Sequence, residues 1–268
     1  MGASSEYERQ TERAEAVRKE VSRPHRTAAF VKSRFPLLLS TALVACSTQA
    51  PYVTTVGILK PGAALAVRVG SATLDAYQPA TGTRRDLFTL SATALPKGTP
   101  PPAPRVQPVP PGVVVSAPDT YQSLLVRVPY GVNLIVNSQH GNVNVTDISG
   151  NARIVAADGN VDLRMPGYAQ AAVGTGNLTV MMGALAWPGT LRFSTRKGDI
   201  EVWINAKAAF AVHLHTDNGV LFTDFGLRGS SSGPAETIDG NVNGGSGQRV
   251  DVETASGSIR LLSLHPQP

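Results

Sequence analysis

The amino-acid sequence predicts an all-β protein, built as a β-solenoid or as a closely related stack of β-hairpins. Three observations support this fold class. Gly and Pro are abundant, at 26 and 20 residues, while charged residues make up 16% and aromatic residues 6% of the chain; this composition favours turn-rich β structure over helical bundles. From about residue 133 onward, glycines recur at a nearly constant spacing between short apolar runs. Apolar and polar residues alternate on both sides of these glycines, as in strands with one buried face.

The repeat is centred on glycines that lie in turns between two predicted strands. The first five are 17 to 22 residues apart, and the last follows after 38 residues, which is about two units. We expect each of them to supply a turn with positive φ. A weaker unit, IDGNVN, surrounds Gly240 inside the long gap. The turn glycines are Gly141, Gly159, Gly176, Gly198, Gly219 and Gly257.

Alignment on these glycines separates an inward from an outward set of positions. The residues five before and two and four after each glycine are mostly apolar, whereas those three after it are mixed. One coil cannot bury its own apolar row, so successive coils must stack. Asn142, Asn160 and Asn177 each follow a glycine, and we expect them to stack as an amide ladder. The residues five before the glycine are Val136, Ile154, Ala171, Phe193, Leu214 and Val252.

The repeat also resembles a known family. Its pattern is strand, T-x-x-G-[DNS]-[VIL], strand, repeated at about 20 residues and ending in a Gly-Gly segment before VETASGSIRL. This pattern resembles the bacterial "putative adhesin" β-strand-repeat family, domain of unknown function 4097, over roughly residues 120–264. The resemblance implies a right-handed β-helix-like architecture, an extracytoplasmic location and, by the family's name, adhesion. It implies no particular biochemical activity.

Residues 31–45 have the layout of a lipoprotein signal peptide. The apolar stretch LLLSTALVAC follows Lys32 and Arg34, and it is shorter than the roughly 20 residues that cross a bilayer. Its last four residues resemble the lipobox of bacterial lipoproteins, and Cys46 is the only cysteine. We therefore predict a lipid on Cys46; the alternative is an ordinary signal peptide that contains a cysteine. Residues 1–30 contain five glutamates, and acidic residues are unusual ahead of an export signal, which suggests a start at Val31 or a cytoplasmic extension.

The remaining chain divides into four predicted segments. Residues 46–58 are a tether, residues 59–95 are opening β strands that cap the stack, and residues 113–264 are the β-repeat domain. Between them, residues 96–112 are rich in proline, which cannot donate ladder hydrogen bonds. They predict an exposed Pro-rich loop, with a docking motif for an aromatic groove as the alternative.

One group of histidines and acids has the residue types of a metal site. His213 and His215 share one face of a predicted strand, and the same places in the last coil hold Asp251 and Glu253. If these coils are neighbours, the four residues offer ligands suited to zinc, copper or nickel. The alternative is a solvated face with favourable cross-strand pairs, and we predict neither a metal nor another cofactor.

The spacing of a carboxylate pair argues against glycoside hydrolysis, and the distribution of charge argues against nucleic-acid binding. Asp162 and Glu201 share an outward column two coils apart, about 10 Å, which is too far for the usual glycosidase pair. The formal charge is +5, but more than half of it lies in residues 1–45. Because the rest of the chain has no basic run, nucleic-acid binding is not predicted.

The sequence therefore predicts a non-catalytic, lipid-anchored scaffold or adhesin-like protein of the cell envelope. It would lie on the outer membrane or on the extracellular face of the plasma membrane, and would bind a protein or polysaccharide partner. Two alternatives stay open: a carbohydrate- or metal-processing enzyme on the same fold, and a sensor subunit of envelope-stress signalling.

Overall fold

The computed structural model describes residues 52–79, 86–94, 102–117, 119–245 and 247–265, and all regular secondary structure in them is β. This confirms the predicted fold class. The first ten strands are β1 (Tyr52–Ile58), β2 (Ala64–Ser71), β3 (Thr73–Tyr77), β4 (Leu87–Ala94), β5 (Arg105–Val109), β6 (Gly112–Ala117), β7 (Tyr121–Arg127), β8 (Asn133–His140), β9 (Val143–Thr146) and β10 (Ala152–Asp158). The others are β11 (Val161–Met165), β12 (Ala169–Thr175), β13 (Leu178–Met182), β14 (Thr190–Lys197), β15 (Ile200–Asn205), β16 (Phe210–Thr216), β17 (Leu221–Thr223), β18 (Ser230–Ser232), β19 (Ala235–Val242), β20 (Arg249–Ser256) and β21 (Ile259–Leu264).

These strands form two sheets. The 10-stranded sheet has the order β1-β4-β7-β3-β9-β11-β13-β15-β21-β17, and the 11-stranded sheet has the order β18-β19-β16-β20-β14-β12-β10-β8-β2-β6-β5. Each repeat gives the strand before its glycine to the 11-stranded sheet and the strand after it to the 10-stranded sheet. We call such a pair of strands a coil. From β8 to β15 the coils stack in chain order with parallel neighbours, as a solenoid requires.

The core lies between the two sheets and consists of the predicted inward residues. The residues five before each glycine align across the 11-stranded sheet, and all of them are at most 4% exposed. The Gly219 coil departs from the pattern after its glycine, where Leu221 and Thr223 are only partly buried. The reason is that β17 has three residues and lies at the edge of its sheet.

Truncation of Phe193 or Leu214 to alanine should therefore lower the free energy of unfolding by about 2–5 kcal/mol, because each leaves a cavity in a closed core. Alanine at the outward-facing Glu201 or Arg260 should change it by no more than about 0.5 kcal/mol. Urea unfolding of the four variants checks this expectation. Losses of similar size at inward and outward positions would contradict the assignment of faces.

The coils at both ends are out of chain order. The last coil, β20 and β21, lies between the Gly198 coil and the Gly219 coil, with parallel pairing on both sides. At the other end, β2 and β3 lie between β8 and β9 on one side and β6 and β7 on the other. The spacing of glycines along the chain does not predict either exchange.

The first described segment differs from the sequence prediction. Residues 52–58, predicted as the end of the tether, form β1, which pairs antiparallel with β4. Within the predicted cap, residues 59–95, the strands β2 and β3 make a complete coil of the stack. These residues carry the alternation of the repeat without a glycine at the turn, because Ala72 occupies that place.

Two later segments also differ from their predictions. The unit around Gly240 is not a further coil, since β19 runs antiparallel to β16. The prediction of a loop over all of residues 96–112 is wrong for residues 105–109, which form β5 at the edge of the 11-stranded sheet. Proline is tolerated there because Pro108 lies in an edge strand, where an N–H is not always required.

Tyr121 closes the core near this end of the stack. It is almost fully buried, and its hydroxyl donates a hydrogen bond to the carbonyl oxygen of Pro102. Burial raises the pKa of the Tyr121 phenol above its ordinary value, because a phenolate would lose its hydration.

We expect the protein to lose stability in alkaline solution through this phenol. The raised pKa favours the folded state below about pH 10, and that contribution disappears as the pH rises through the raised pKa. Tyr121→Phe should lack this part of the alkaline loss, although it also loses the hydrogen bond to Pro102. Urea unfolding between about pH 8 and pH 11 measures both proteins. Parallel pH profiles would exclude Tyr121 as the titrating group.

Candidate interaction surface

The turns between the two sheets stack as a column of glycines. Gly141, Gly159, Gly176, Gly198 and Gly257 have φ between 111° and 147°, which side chains rarely adopt. A Cβ atom on Gly159 would lie 2.2 Å from the carbonyl oxygen of Gly141 in the preceding coil. The expectation of positive φ fails at Gly219, where glycine is required for space alone: a Cβ atom there would lie 1.8 Å from the carbonyl oxygen of Gly257.

A ladder of hydrogen bonds runs beside the glycine column. The backbone N–H of Asn160 donates to Oδ1 of Asn142 at 3.0 Å, and that of Asn177 donates to Oδ1 of Asn160 at 2.9 Å. The ladder continues through Asp199 to Ser258, at 3.0 and 2.7 Å. The three asparagines thus align as predicted, but the bonds run from backbone to side chain rather than between amides. The asparagine pattern alone does not indicate Asp199, although a carboxylate oxygen accepts the same bond.

An aromatic and charged cluster lies on the outer face of the 10-stranded sheet. Trp203 of β15 lies in register between Met181 of β13 and Leu262 of β21. Its indole Nε1–H donates to Oε1 of Glu201 at 2.7 Å, and Oε2 of Glu201 lies 3.9 Å from Nη1 of Arg260. The outward-facing tryptophan is therefore held in one orientation by a neighbouring carboxylate.

This cluster ends at an exposed phenylalanine near the end of the sheet. Phe222 of β17 lies opposite Arg260 and is 53% exposed. We call Glu201, Trp203, Phe222, Arg260 and Leu262 the Trp203 surface. Tryptophan, phenylalanine and arginine are the types enriched at protein interfaces. The sequence placed Phe222 in an outward column, and an aromatic residue there was a signal that could have marked this surface.

Two shallow depressions lie partly within the Trp203 surface. One is mostly polar and is lined by residues that include Asn177, Thr179 and Asp199. The other is mostly apolar and is lined by Val220 and Phe222 together with Arg260 and Leu262. The flat, mixed character of this face suits contact with a macromolecule better than enclosure of a small substrate.

The structure brings the four candidate metal ligands together on neighbouring strands. His213 lies opposite Asp251 and His215 opposite Glu253, because β16 pairs with β20. The imidazole rings stack with their centroids 6.3 Å apart. However, in the part of the chain that the structure describes, no group of three or more His, Cys, Asp or Glu side chains could hold a metal ion.

Three ring nitrogens of these histidines contact groups of the same sheet or of its turns. His213 Nδ1 lies 2.7 Å from Oδ1 of Asp239. His215 Nδ1 lies 3.0 Å from the hydroxyl of Thr237, and its Nε2 lies 3.0 Å from Asp217. Both histidines thus make cross-strand contacts to β19 on a partly exposed face of the 11-stranded sheet.

Asp251 on this face, and Asp162 and Glu201 on the other sheet, each lie beside an arginine. Asp251 binds the guanidinium of Arg249 and raises the pKa of that group. On the other sheet, Asp162 lies 3.5 Å from Arg164 and is separated from Glu201 by β13. Two strand spacings of about 4.8 Å keep these carboxylates apart.

Cys46, the predicted lipid attachment point, lies outside the described residues.

Comparison with known proteins identifies the family. A family model described as Toastrack DUF4097 matches residues 115–262. The chain belongs to the Toastrack family. The match begins within β6 and ends within β21, so it includes all six glycine turns. This confirms the resemblance to domain of unknown function 4097 that the repeat pattern indicated.

Solved structures with low sequence identity are similar to the Toastrack chain. A "putative cell adhesion protein" from Clostridium sporogenes is 10% identical, with a TM-score of 0.43, over 80% of this chain and 100% of the other. A "putative adhesin" from Bacteroides fragilis is 11% identical, with a TM-score of 0.35, over 78% and 96% of the two chains. Among curated proteins, none matches the chain. In the described residues no helix is long and apolar enough to cross a membrane.

Proposed function

We propose that this Toastrack protein is a non-catalytic, lipid-anchored scaffold of the cell envelope, which binds a partner through the Trp203 surface. The observation that supports this most is the combination of Trp203, Phe222 and Arg260 on one outer face of a rigid stack. Trp203 is oriented by its hydrogen bond to Glu201, so little side-chain entropy is lost on binding. Tryptophan and arginine are enriched among the residues that dominate binding at protein interfaces, so the proposal takes a protein as the partner.

The state of the titratable groups supports a non-catalytic role. Catalysis uses acids, bases or nucleophiles held in a shielded pocket. Here the clustered histidines and acids lie on outer sheet faces, where His213 contacts Asp239 and Glu201 contacts Trp203 and Arg260. Such groups are solvated and paired with one another, which suits a binding face.

A photo-crosslinking experiment tests the binding surface. A photoreactive residue at position 222 in the full chain should give discrete adducts in intact cells on illumination. Val155 of β10 provides a matched control, because it is also an exposed apolar residue but lies on the outer face of the other sheet. Adducts of equal yield at both positions, or none at position 222, would contradict the proposed surface.

The proposed anchor at Cys46 places this surface at the envelope. The thioether-linked diacylglycerol and the amide-linked acyl chain of a bacterial lipoprotein would supply the two or more chains that stable attachment requires. Cys46→Ala should move the protein out of the detergent phase on phase separation, while Ser47→Ala should leave it there. Mass spectrometry that finds mature protein with an unacylated Cys46 would contradict the anchor.

A further inference from the structure

The two sheets end in four edge strands, and these differ in how well they are protected. The edges are β1 and β17 in one sheet and β18 and β5 in the other. An open edge offers unpaired N–H and C=O groups to any other strand unless shortness, proline or charge prevents pairing. Both β17 and β18 have only three residues, and β5 carries Arg105 and Pro108. Three of the four edges therefore have a recognisable protection.

The fourth edge, β1, has none. It has seven residues with the sequence YVTTVGI, which contains no proline and no charged side chain. The adjoining strand β4, LFTLSATA, is uncharged as well. Val56 and Ile58 are 54% and 63% exposed on the outer face of β1. Within the residues that the structure describes, β4 is the one strand paired with β1.

We propose that β1 pairs antiparallel with β1 of a second copy of this chain, joining the two 10-stranded sheets into one continuous sheet. Antiparallel pairing of identical strands relates the copies by a twofold axis, so the same surface must be complementary to itself. A charged residue near the axis would face its own like charge, and the uncharged β1 and β4 avoid this repulsion. A register centred on Thr55 sets Val56 opposite Thr54 of the second copy, a favourable cross-strand pair of β-branched residues.

The position of β1 along the chain favours a second copy over another protein. β1 begins at Tyr52, six residues after Cys46. Six extended residues span at most about 20 Å, so two anchored copies would carry this edge in the same thin layer above one bilayer. Confinement of that kind raises the effective concentration of the second strand. This step rests on the proposed lipid anchor, whereas the argument from the four edges does not.

Native mass spectrometry of the full chain, released from detergent micelles, tests the pairing. The unaltered chain should give a dimer. Thr54→Lys with Val56→Lys should raise the dissociation constant about tenfold or more, because the register sets lysine opposite lysine. Val155→Lys with Ala157→Lys adds the same charge to exposed positions away from the edge and should leave the dimer unchanged. The mass of each subunit in the same spectrum reports the lipid, so failure of the anchor and failure of the dimer are seen separately.

A cross-linking experiment keeps the test open if the lysine variant folds poorly. In membranes, a short bis-maleimide should cross-link Val56→Cys chains into dimers, since the two side chains would be near neighbours across the junction. Val155→Cys is the control for random encounters and for any reaction of Cys46. A purely monomeric chain in the mass spectra, a dimer that persists in the double-lysine variant, or equal cross-linking at positions 56 and 155 would each overturn the proposal.

Discussion

Gly159→Ala should destabilise the protein by more than about 4 kcal/mol, a loss that approaches the whole free energy of unfolding of a marginally stable domain. The added Cβ atom would lie 2.2 Å from the carbonyl oxygen of Gly141, and φ at this position is 129°. The obstructing atom belongs to the backbone, so no side chain can rotate away. Relief requires the two coils to separate, which would disrupt their hydrogen bonds and the Asn142 to Asn160 step of the ladder. Thermal unfolding followed by circular dichroism measures the effect.

Gly167→Ala is the matched control for this substitution. Gly167 lies just after β11, the strand that follows Gly159. Its φ is not positive, and a Cβ atom there would have no other atom within 4 Å. We expect the free energy of unfolding of the Gly167→Ala variant to stay within about 1 kcal/mol of that of the original protein. A small gain is expected if alanine lowers the conformational entropy of the unfolded chain. Equal losses for the two variants would show that the stack can adapt to a side chain in the glycine column.

A chain that ends at Gln248 should not fold cooperatively. It lacks β20 and β21, which are paired on both sides within the two sheets. Their loss leaves β14 and β16 without a neighbour between them and removes fully buried residues such as Val252 and Leu261 from the core. In a solenoid with coils in chain order, loss of the last coil would remove one interface between coils. Here it removes two, and the Gly198 coil and the Gly219 coil lose the coil that joins them.

The control for this truncation is a chain that ends at Leu264. It keeps every strand and lacks only residues 265–268, so its unfolding midpoint should not change. Circular dichroism and limited proteolysis compare the two truncations. A cooperative transition in the shorter chain, with a midpoint near that of the full chain, would show that the stack closes without its inserted coil.

The inward columns could be predicted from sequence because a strand's side chains alternate by local geometry alone. Phe193, Val252 and Leu214 were assigned inward on this basis, and all are buried. The alternation also holds for antiparallel strands, so it could not reveal that the unit around Gly240 belongs to a strand of opposite direction. Pro108 indicated a loop because the sequence does not show which strand lies at the edge of a sheet, where proline is tolerated.

The order of the coils could not be predicted, because an apolar row fits any other apolar row. Nothing about Val252 itself requires Phe193 on one side and Leu214 on the other, as the structure shows. The Trp203 surface was missed for a related reason. Outward positions were recognised one at a time, whereas a binding face depends on which of them become neighbours, and that follows from the register between strands.

The exchanged ends have a consequence for how members of such a family can gain or lose length during evolution. From β8 to β15, position along the chain and position in the stack agree. A tandem duplication there adds a coil that continues the glycine column, and the strands at both ends keep their neighbours. A second copy of the last coil would have to insert between two coils that are already hydrogen-bonded to each other. Relatives of different length should therefore differ in the number of their central coils and share the same crossed ends.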